Sequence, residues 1–266
     1  MDAWTTKRIL ILGTTYPAYS KKYTENACTG GITEDTKEMV RIHPVPLRYL
    51  EEKNRFRKFQ WITAKVQQHS SDPRPESLRV EPDSIVAGEI MAPKDEARRR
   101  FIEESPHFMS SVEELKERWQ RDGTSLGTIQ PKEILGVRVA RKGAKERDDW
   151  RKKEDELFAQ QRFEFERPPK KLDFPELNFL VKWACDDKRC NKPHEMGILQ
   201  WGLHELARKL HDDPQRDDKL VQAMKKELDL DKRDVFLFLG NYRSKMFNFG
   251  LMDSYSPTRQ AQLKLF

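Results

Sequence analysis

Two cysteines and a histidine lie close together in the segment Cys185-Asp-Asp-Lys-Arg-Cys190-Asn-Lys-Pro-His194. Thiolate and imidazole are ligands that zinc prefers, and a structural zinc site needs four ligands in a tetrahedron. Because the chain contains only 3 cysteines, the spacing predicts a metal site with zinc as the candidate cofactor. A fourth ligand would come from His204, His211 or Asp187. Alternatively, the cysteines are small apolar core residues and His194 caps the helix that follows.

A second set of candidates combines cations with aromatic rings. Lysine and arginine neutralise phosphates and flat rings stack on unpaired bases, so a groove that combines both binds single-stranded nucleic acid. Arg41 and His43 alternate along one predicted strand and therefore share a face. The candidate nucleic-acid-binding residues are Tyr16, Tyr19, Lys21, Lys22, Tyr23, Arg41, His43, Arg48, Arg74 and Arg79, with Arg243 and Lys245 in a basic turn. The alternative is that these side chains are solvent-exposed surface residues without a binding role.

The composition fits a polyanionic partner such as DNA or RNA. The 266 residues carry a formal net charge of +6, and 14 Phe and 6 Trp supply enough apolar surface for a core. No apolar run approaches the roughly 20 residues that a transmembrane helix needs. The short segment Ile9–Leu12 predicts a first strand rather than a signal peptide, and three sparse cysteines make no disulfide framework. We therefore expect a cytoplasmic protein without membrane contact.

Short motifs that indicate an enzyme are missing. The sequence has no Gly-x-x-x-x-Gly-Lys-Ser/Thr phosphate loop, no Gly-x-Gly-x-x-Gly, no His-Glu-x-x-His and no Gly-x-Ser-x-Gly. These absences weaken the enzyme interpretation without excluding it, because side chains from distant segments can still form a catalytic centre.

The sequence patterns predict strands and helices that position these residues in an α+β fold with two lobes. Residues 1–141 form an N-terminal lobe, 142–173 a charged connector that is partly helical, and 174–266 a C-terminal lobe. In the first lobe we expect strands at Arg8–Thr14, Cys28–Ile32, Glu38–His43 and Phe59–Val66, helices at Lys94–Glu104 and Ser111–Gln120, and a closing strand at Ile134–Ala140. The connector helix is expected around Trp150–Gln161. In the second lobe we expect a strand at Phe179–Ala184, helices at Ile198–Leu210 and Asp217–Leu228, and a hairpin of Asp234–Gly240 with Phe247–Met252.

Several segments together resemble bacterial proteins with a dual OB-containing domain. These segments are Ile11-Leu-Gly-Thr-Thr-Tyr-Pro17, Ser20-Lys-Lys-Tyr23, Cys28-Thr-Gly-Gly-Ile32, Val40-Arg-Ile-His-Pro44 and Gln60-Trp61-Ile62, with the Cys/His loop before Ile198-Leu-Gln-Trp201. The resemblance implies two small OB-like β-barrel lobes with helical insertions. It also implies nucleic-acid binding in a bacterial defence or mobile-element setting.

The sequence thus predicts a non-catalytic nucleic-acid-binding protein that grips phosphates with Lys and Arg and stacks bases on Tyr. One alternative is a metal-dependent enzyme that acts on nucleic acid or a nucleotide. Another is an adaptor that docks a larger partner protein through the connector helix.

Overall fold

The structure, a computed structural model, describes residues 3–259 except for residues 21–22, 94, 161–169 and 244. These residues form two sheets and five helices, which confirms the predicted α+β class. The first sheet contains β1 (Thr5–Thr14), β2 (Ala18–Ser20), β3 (Thr24–Thr33), β4 (Met39–Val45), β5 (Gln60–Gln68), β6 (Ser77–Val80) and β7 (Val86–Ile90). The second contains β8 (Phe108–Met109), β9 (Leu126–Ile129), β10 (Glu133–Arg141), β11 (Leu177–Ala184), β12 (His194–Ile198), β13 (Phe236–Tyr242) and β14 (Lys245–Tyr255). The helices are α1 (Asp95–Glu103), α2 (Val112–Asp122), α3 (Ala144–Gln160), α4 (Trp201–Lys209) and α5 (Arg216–Glu227).

Five strands of the first sheet close into a barrel. They follow the order β1-β3-β4-β6-β5, and β5 pairs back onto β1. All neighbours are antiparallel except β4 and β6, which run parallel with Ile42 opposite Leu78. Numbered within the barrel, the order is 1-2-3-5-4-1, the order of an OB-fold Greek-key barrel. The short strand β2 extends β3, and β7 extends β5.

The second sheet repeats this strand order without closing. Its strands β10-β11-β12-β14-β13 follow the order 1-2-3-5-4, and β12 runs parallel to β14 where Ile198 lies opposite Leu251. The edge of β13 pairs with β9, and among the described residues β10 pairs only with β11. Helices α4 and α5 lie between the third and fourth strands of this set. The two OB-like lobes with helical insertions are therefore confirmed, the first as a closed barrel and the second as an open sheet.

The strand pairing divides the lobes earlier in the chain than the sequence patterns indicated. We expected Ile134–Ala140 to close the N-terminal lobe, but β10 pairs with β11 in the second sheet, with Val137 opposite Val181. The segment from β8 to β10 thus belongs to the C-terminal lobe. An apolar strand shows that it pairs but not with which partner, so its sequence alone left the choice of lobe open.

The two lobes share a continuous apolar interface. On β1, Ile9 and Ile11 point into the barrel, whereas Leu10 and Leu12 point outwards and pack with Phe236 and other residues of the second lobe. Both faces of this strand are buried, which explains its uninterrupted apolar sequence. The outer face of the barrel is consequently a core and not a solvent-exposed surface over this region.

Local signals explain the borders of α2. The Ser111 hydroxyl accepts a hydrogen bond from the Glu114 backbone N–H at 3.1 Å and so caps the N-terminus of the helix. Gly123 ends the helix with a φ of 80°, a left-handed conformation that favours glycine. One predicted helix start was wrong, because His194–Ile198 forms β12 and α4 begins only at Trp201.

Because the lobes share one core, we expect them to unfold together. Phe238 is 1% exposed in the shared cluster, so Phe238→Ala should lower the free energy of unfolding by about 3–5 kcal/mol. The matched control Phe247→Ala removes a side chain that is 64% exposed and should change the free energy by less than about 1 kcal/mol. Urea unfolding followed by far-UV circular dichroism and tryptophan fluorescence measures both. Two separate transitions in the wild-type protein would contradict a shared core.

Candidate functional site

A cavity of about 450 Å³ opens where the apolar interface between the lobes gives way to polar residues. One wall comes from the first barrel: residues 15–18 after β1, the outward side chains of β3 and β4, and residues 69–74 between β5 and β6. The opposite wall is residues 240–243 at the turn of the β13–β14 hairpin. Lys142 and Trp150 reach it from the connector. Both lobes are therefore needed to form this cavity.

Arg41 lies in the wall of the cavity and is only 4% exposed. Its Nη1 donates to the hydroxyls of Ser77 at 3.1 Å and Ser125 at 3.2 Å. Its Nη2 has no hydrogen-bond acceptor among the described residues. A Cβ on Gly240 would lie 3.1 Å from this nitrogen and 2.8 Å from the Met252 sulfur, so the strand can approach the guanidinium this closely because residue 240 is glycine. A buried donor without an acceptor destabilises the folded protein, and a ligand that supplies an acceptor would remove this loss of free energy.

Arg74, in contrast, is saturated by protein partners. Its Nε and Nη2 donate to the Asp72 carboxylate at 2.8 and 2.6 Å, and its Nη1 donates to the backbone and side-chain oxygens of Asn241. Burial opposes ionisation of Asp72, but the hydrogen bonds from Arg74 outweigh it and hold the pKa of the carboxyl well below its usual range. The pair fixes the β5–β6 loop of the first lobe to β13 of the second lobe. We assign Arg74 a positioning role at the cavity.

Two imidazoles stand beside this pair on the barrel side. The His43 ring lies 5.7 Å from the ring of His69, and an edge of Tyr23 packs on it. Burial, helped by the nearby His69, lowers the pKa of His43 to about 4. Burial also lowers the pKa of His69. Both rings are neutral at pH 7 and can accept as well as donate a hydrogen bond.

A second cavity, of about 550 Å³, adjoins the first and shares four lining residues with it: Tyr16, Trp150, Pro175 and His204. Helix α3 forms one side of it and α4 the other. The Tyr16 ring packs on His204 at 4.9 Å, and its hydroxyl donates to the Asp173 backbone carbonyl. The indole nitrogen of Trp150 is buried and has no acceptor among the described residues. We call the two joined cavities the cleft.

The cleft is electropositive. Eight basic side chains line it against four carboxylates. The basic residues are Arg41, Arg74, Lys142, Arg147, Arg151, Lys171, Arg208 and Arg243; the acidic ones are Asp72, Glu154, Asp173 and Glu176. Unlike Arg41 and Arg74, Arg147, Arg151 and Arg243 are exposed and can reach a ligand without losing a buried partner.

The candidate residues named from the sequence divide between the cleft and other places. Tyr16, Arg41, His43, Arg74 and Arg243 line it. The others have positions outside its lining or outside the described residues, as follows. Tyr19 donates to Glu154 and packs on Trp150, and Arg48 binds Glu25 and the carbonyls of residues 170 and 171. Arg79 lies over Trp4, Tyr23 contacts His43, and Lys245 is exposed on β14. Lys21 and Lys22 lie outside the described residues.

Other cleft residues were not identified from the sequence. His69 and Lys142 gave no signal, because each is an isolated polar residue in a loop or at a strand end. Trp150 could have been identified, because it is the single tryptophan in the charged run 142–157, and an aromatic residue in such a run indicates a buried contact. His204 was proposed as a zinc ligand but lines the cleft and packs on Phe179 at 5.0 Å.

The predicted metal ligands Cys185, Cys190 and His194 come together. Their ligand atoms all lie within 4.8 Å of one another, and Cys185 Sγ lies 3.5 Å from His194 Nε2. This is a cluster that could hold a metal ion. Of the three proposed fourth ligands, His204 lines the cleft and His211 lies beside Glu176. Asp187 stays in the loop, where its carboxylate accepts from Ser111 and Arg189.

None of the helices in the described part of the chain has the length and apolar character needed to cross a membrane.

Two protein-family models match the chain, one over each lobe. Residues 108–266, more than half of the chain, match the model described as Domain of unknown function (DUF8757), and the protein belongs to this family. Residues 5–104 match a second model, Domain of unknown function (DUF8758). The border between the matches falls between β7, which ends the first sheet, and β8, which starts the second.

Among solved structures, the chain is similar to the Ifi202 HINa domain in complex with 20bp dsDNA. The two are 12% identical, with 98% of this chain and 100% of that chain covered and a TM-score of 0.32. No curated protein matches the chain.

The buried imidazoles of the cleft make stability depend on pH. Burial, reinforced by Lys142, lowers the pKa of His204 to about 4, against about 6.5 in an unfolded chain. Between these values the unfolded state binds more protons, so the free energy of unfolding falls as the pH drops from about 6.5 to about 4. Each such imidazole adds at most about 1.4 kcal/mol per pH unit.

We expect His204→Gln to make this fall shallower in urea unfolding measured at several pH values. The control His211→Gln changes a side chain that is 69% exposed and should leave the slope unchanged. Equal slopes in the wild-type protein and His204→Gln would contradict the assignment of a neutral, half-buried His204.

Proposed function

We propose that the protein binds single-stranded nucleic acid in the cleft between its lobes, without catalysis. The observation that carries the proposal is the buried Arg41 Nη2, which lacks an acceptor and lies in the wall of a basic, aromatic cleft. A phosphate oxygen is the acceptor that best matches an arginine in such a place, because the charge-assisted bond is strong and the guanidinium geometry fits phosphate.

The position of the cleft in the fold supports the same function. OB-folds bind oligonucleotides on the face of strands 2 and 3 and with the loops that join strands 1–2 and 4–5. In the first lobe these parts are β3, β4, the loop after β1 and the loop between β5 and β6, which together form the barrel wall of the cleft. The second lobe covers this face and turns an open groove into a cleft.

The size and chemistry of the cleft favour a single strand over a duplex. Its two cavities, about 450 and 550 Å³, have the volume of sites for compounds the size of a nucleotide. An unpaired strand can place a phosphate at Arg41 and bases against Tyr16 and Trp150, whose rings offer stacking surfaces.

The two alternatives have less support. An enzyme with a metal at Cys185, Cys190 and His194 would need a substrate cavity there, but none of the three residues lines the cleft. An adaptor would need a free apolar face on α3, but Leu157 is buried and Trp150 and Phe158 pack on Tyr19. The bacterial defence or mobile-element setting, and a choice between DNA and RNA, stay predictions from the sequence.

The exposed arginines of the cleft test whether phosphates bind there. The double variant Arg151→Ala/Arg243→Ala should weaken binding of short single-stranded DNA and RNA roughly tenfold or more at low salt, and should reduce the slope of log affinity against log salt by about 1.4. Fluorescence anisotropy across a salt series measures both. The control Arg57→Ala/Arg100→Ala removes two exposed arginines outside the cleft and should bind like the wild-type protein. Undetectable binding by the wild-type protein at low salt would end the proposal.

A substitution in the wall tests the position of the ligand. Ala18 is exposed, lies on β2 and lines the cleft, so Ala18→Glu should leave the fold intact. The added carboxylate should weaken nucleic-acid binding at least roughly tenfold, because like charges brought together at an interface cost several kcal/mol. Ala97→Glu on α1 is the matched control and should bind normally. If both variants bind equally well in the same anisotropy assay, the strand binds elsewhere.

A further inference from the structure

We propose that Cys185, Cys190 and His194 hold a structural zinc ion that fixes the β11–β12 loop to the start of α2. This site is separate from the cleft, and the inference does not depend on nucleic-acid binding. Cys185 directly follows β11, His194 begins β12, and Cys190 lies in the loop between them. Three soft ligands thus meet at one end of the second sheet.

One of the three distances between ligand atoms already matches a zinc tetrahedron. With Zn–S near 2.3 Å and Zn–N near 2.0–2.1 Å, the edge of a tetrahedron between sulfur and nitrogen is about 3.6 Å. The distance between Cys185 Sγ and His194 Nε2 is 3.5 Å. All three ligand atoms lie within 4.8 Å of one another, so a small adjustment of half-buried Cys190 brings the third ligand to the same edge length.

Burial raises the pKa of the Cys185 thiol to about 12, and one backbone contact opposes this effect and orients the sulfur. The backbone N–H of Val112, the first residue of α2, donates to Cys185 Sγ at 3.5 Å. This N–H belongs to the positive end of an 11-residue helix, which favours a negative charge at the sulfur. Hydrogen bonds from neighbouring groups to metal ligands orient those ligands toward the ion. The ring of Trp183 lies 5.1 Å from that of His194 and restricts how the imidazole can turn.

The loop is preorganised even without an ion. Ser111 Oγ donates to Asp187 Oδ2 at 2.6 Å, and Arg189 Nη1 donates to both oxygens of Glu117 at 2.8 Å. The Cys190 backbone N–H donates to the Asp187 carbonyl at 3.0 Å and closes the turn. Holding the ligands in place before binding lowers the entropic cost of binding the ion.

The fourth position faces the accessible side of the cluster, where Cys190 and His194 are half-buried. Asp187 is already bonded to Ser111 and Arg189 and would have to release them to bind metal. Glu113 lies on the first turn of α2, next to the Val112 N–H that contacts Cys185, and is paired with Lys116. We assign the fourth position to Glu113, which would exchange Lys116 for the ion. Because the cluster lines neither cavity of the cleft, the ion stabilises structure and does not activate a substrate.

Cobalt(II) is the probe for this site, because cobalt bound by thiolates in a tetrahedron gives a charge-transfer band and strong visible bands. The full-length protein, freed of metal by a chelator, should bind one equivalent and show both bands, and zinc should displace the cobalt. Cys190→Ser and His194→Gln should each weaken binding by at least roughly 100-fold, since loss of even an outer-shell partner costs 10–100-fold. Both residues are half-buried, so these variants should fold, which circular dichroism checks.

Cys28→Ser is the matched control, since Cys28 is the third free cysteine and lies in the cleft wall. It should bind cobalt like the wild-type protein. As a second readout, zinc should raise the urea midpoint of the wild-type protein and Cys28→Ser but not that of Cys190→Ser. Absence of the charge-transfer band in the wild-type protein, or its equal loss in Cys28→Ser and Cys190→Ser, would overturn the proposal.

Discussion

The packing of the outer face of the first barrel against the second sheet is the constraint on which the rest of the structure depends. In an isolated OB-fold this face is open to ligands, but here Leu10 and Leu12 of β1 are covered by Phe236 and Phe238 of β13. At the end where Arg41 lies in place of apolar side chains, the interface opens into the cleft. The cleft is thus a polar part of the interface between the lobes, and residues of both lobes form it.

The two buried arginines of the cleft wall show how the same residue type serves two purposes. Arg74 has a carboxylate and two amide oxygens as partners, so its charge is compensated within the protein. Arg41 has two hydroxyls, which stabilise a cation far less than a carboxylate does. Burial lowers the pKa of Arg41, and the Glu76 carboxylate partly offsets this effect. The Arg41 guanidinium, whose charge is only partly compensated, is the group that an anionic ligand would neutralise, whereas Arg74 maintains the distance between the lobes.

The sequence predicted the elements better than their partners. Local sequence patterns located strands β3, β4, β5 and β11 and helix α2, because such patterns depend on neighbouring residues alone. The lobe of β10 could not be read from its residues, since pairing depends on contacts distant in the sequence. The same limit applies to the site: basic and aromatic residues indicated Tyr16, Arg41 and Arg243, but not that Trp150 of the connector would also line the cleft. Conversely, Cys185, Cys190 and His194 were found together because their proximity is a property of one loop.

Helix α2 connects the metal cluster to the cleft. Its N-terminus donates a hydrogen bond to Cys185, and shortly after its C-terminus the chain places Ser125, whose hydroxyl accepts from Arg41 and donates to Glu76. Eleven helical residues separate these ends by about 16 Å. Fixing the first turn of α2 therefore restricts where Ser125 can lie and, through it, the direction of the Arg41 guanidinium. An ion at the cluster would in this way hold the wall of the cleft in place without touching a bound ligand.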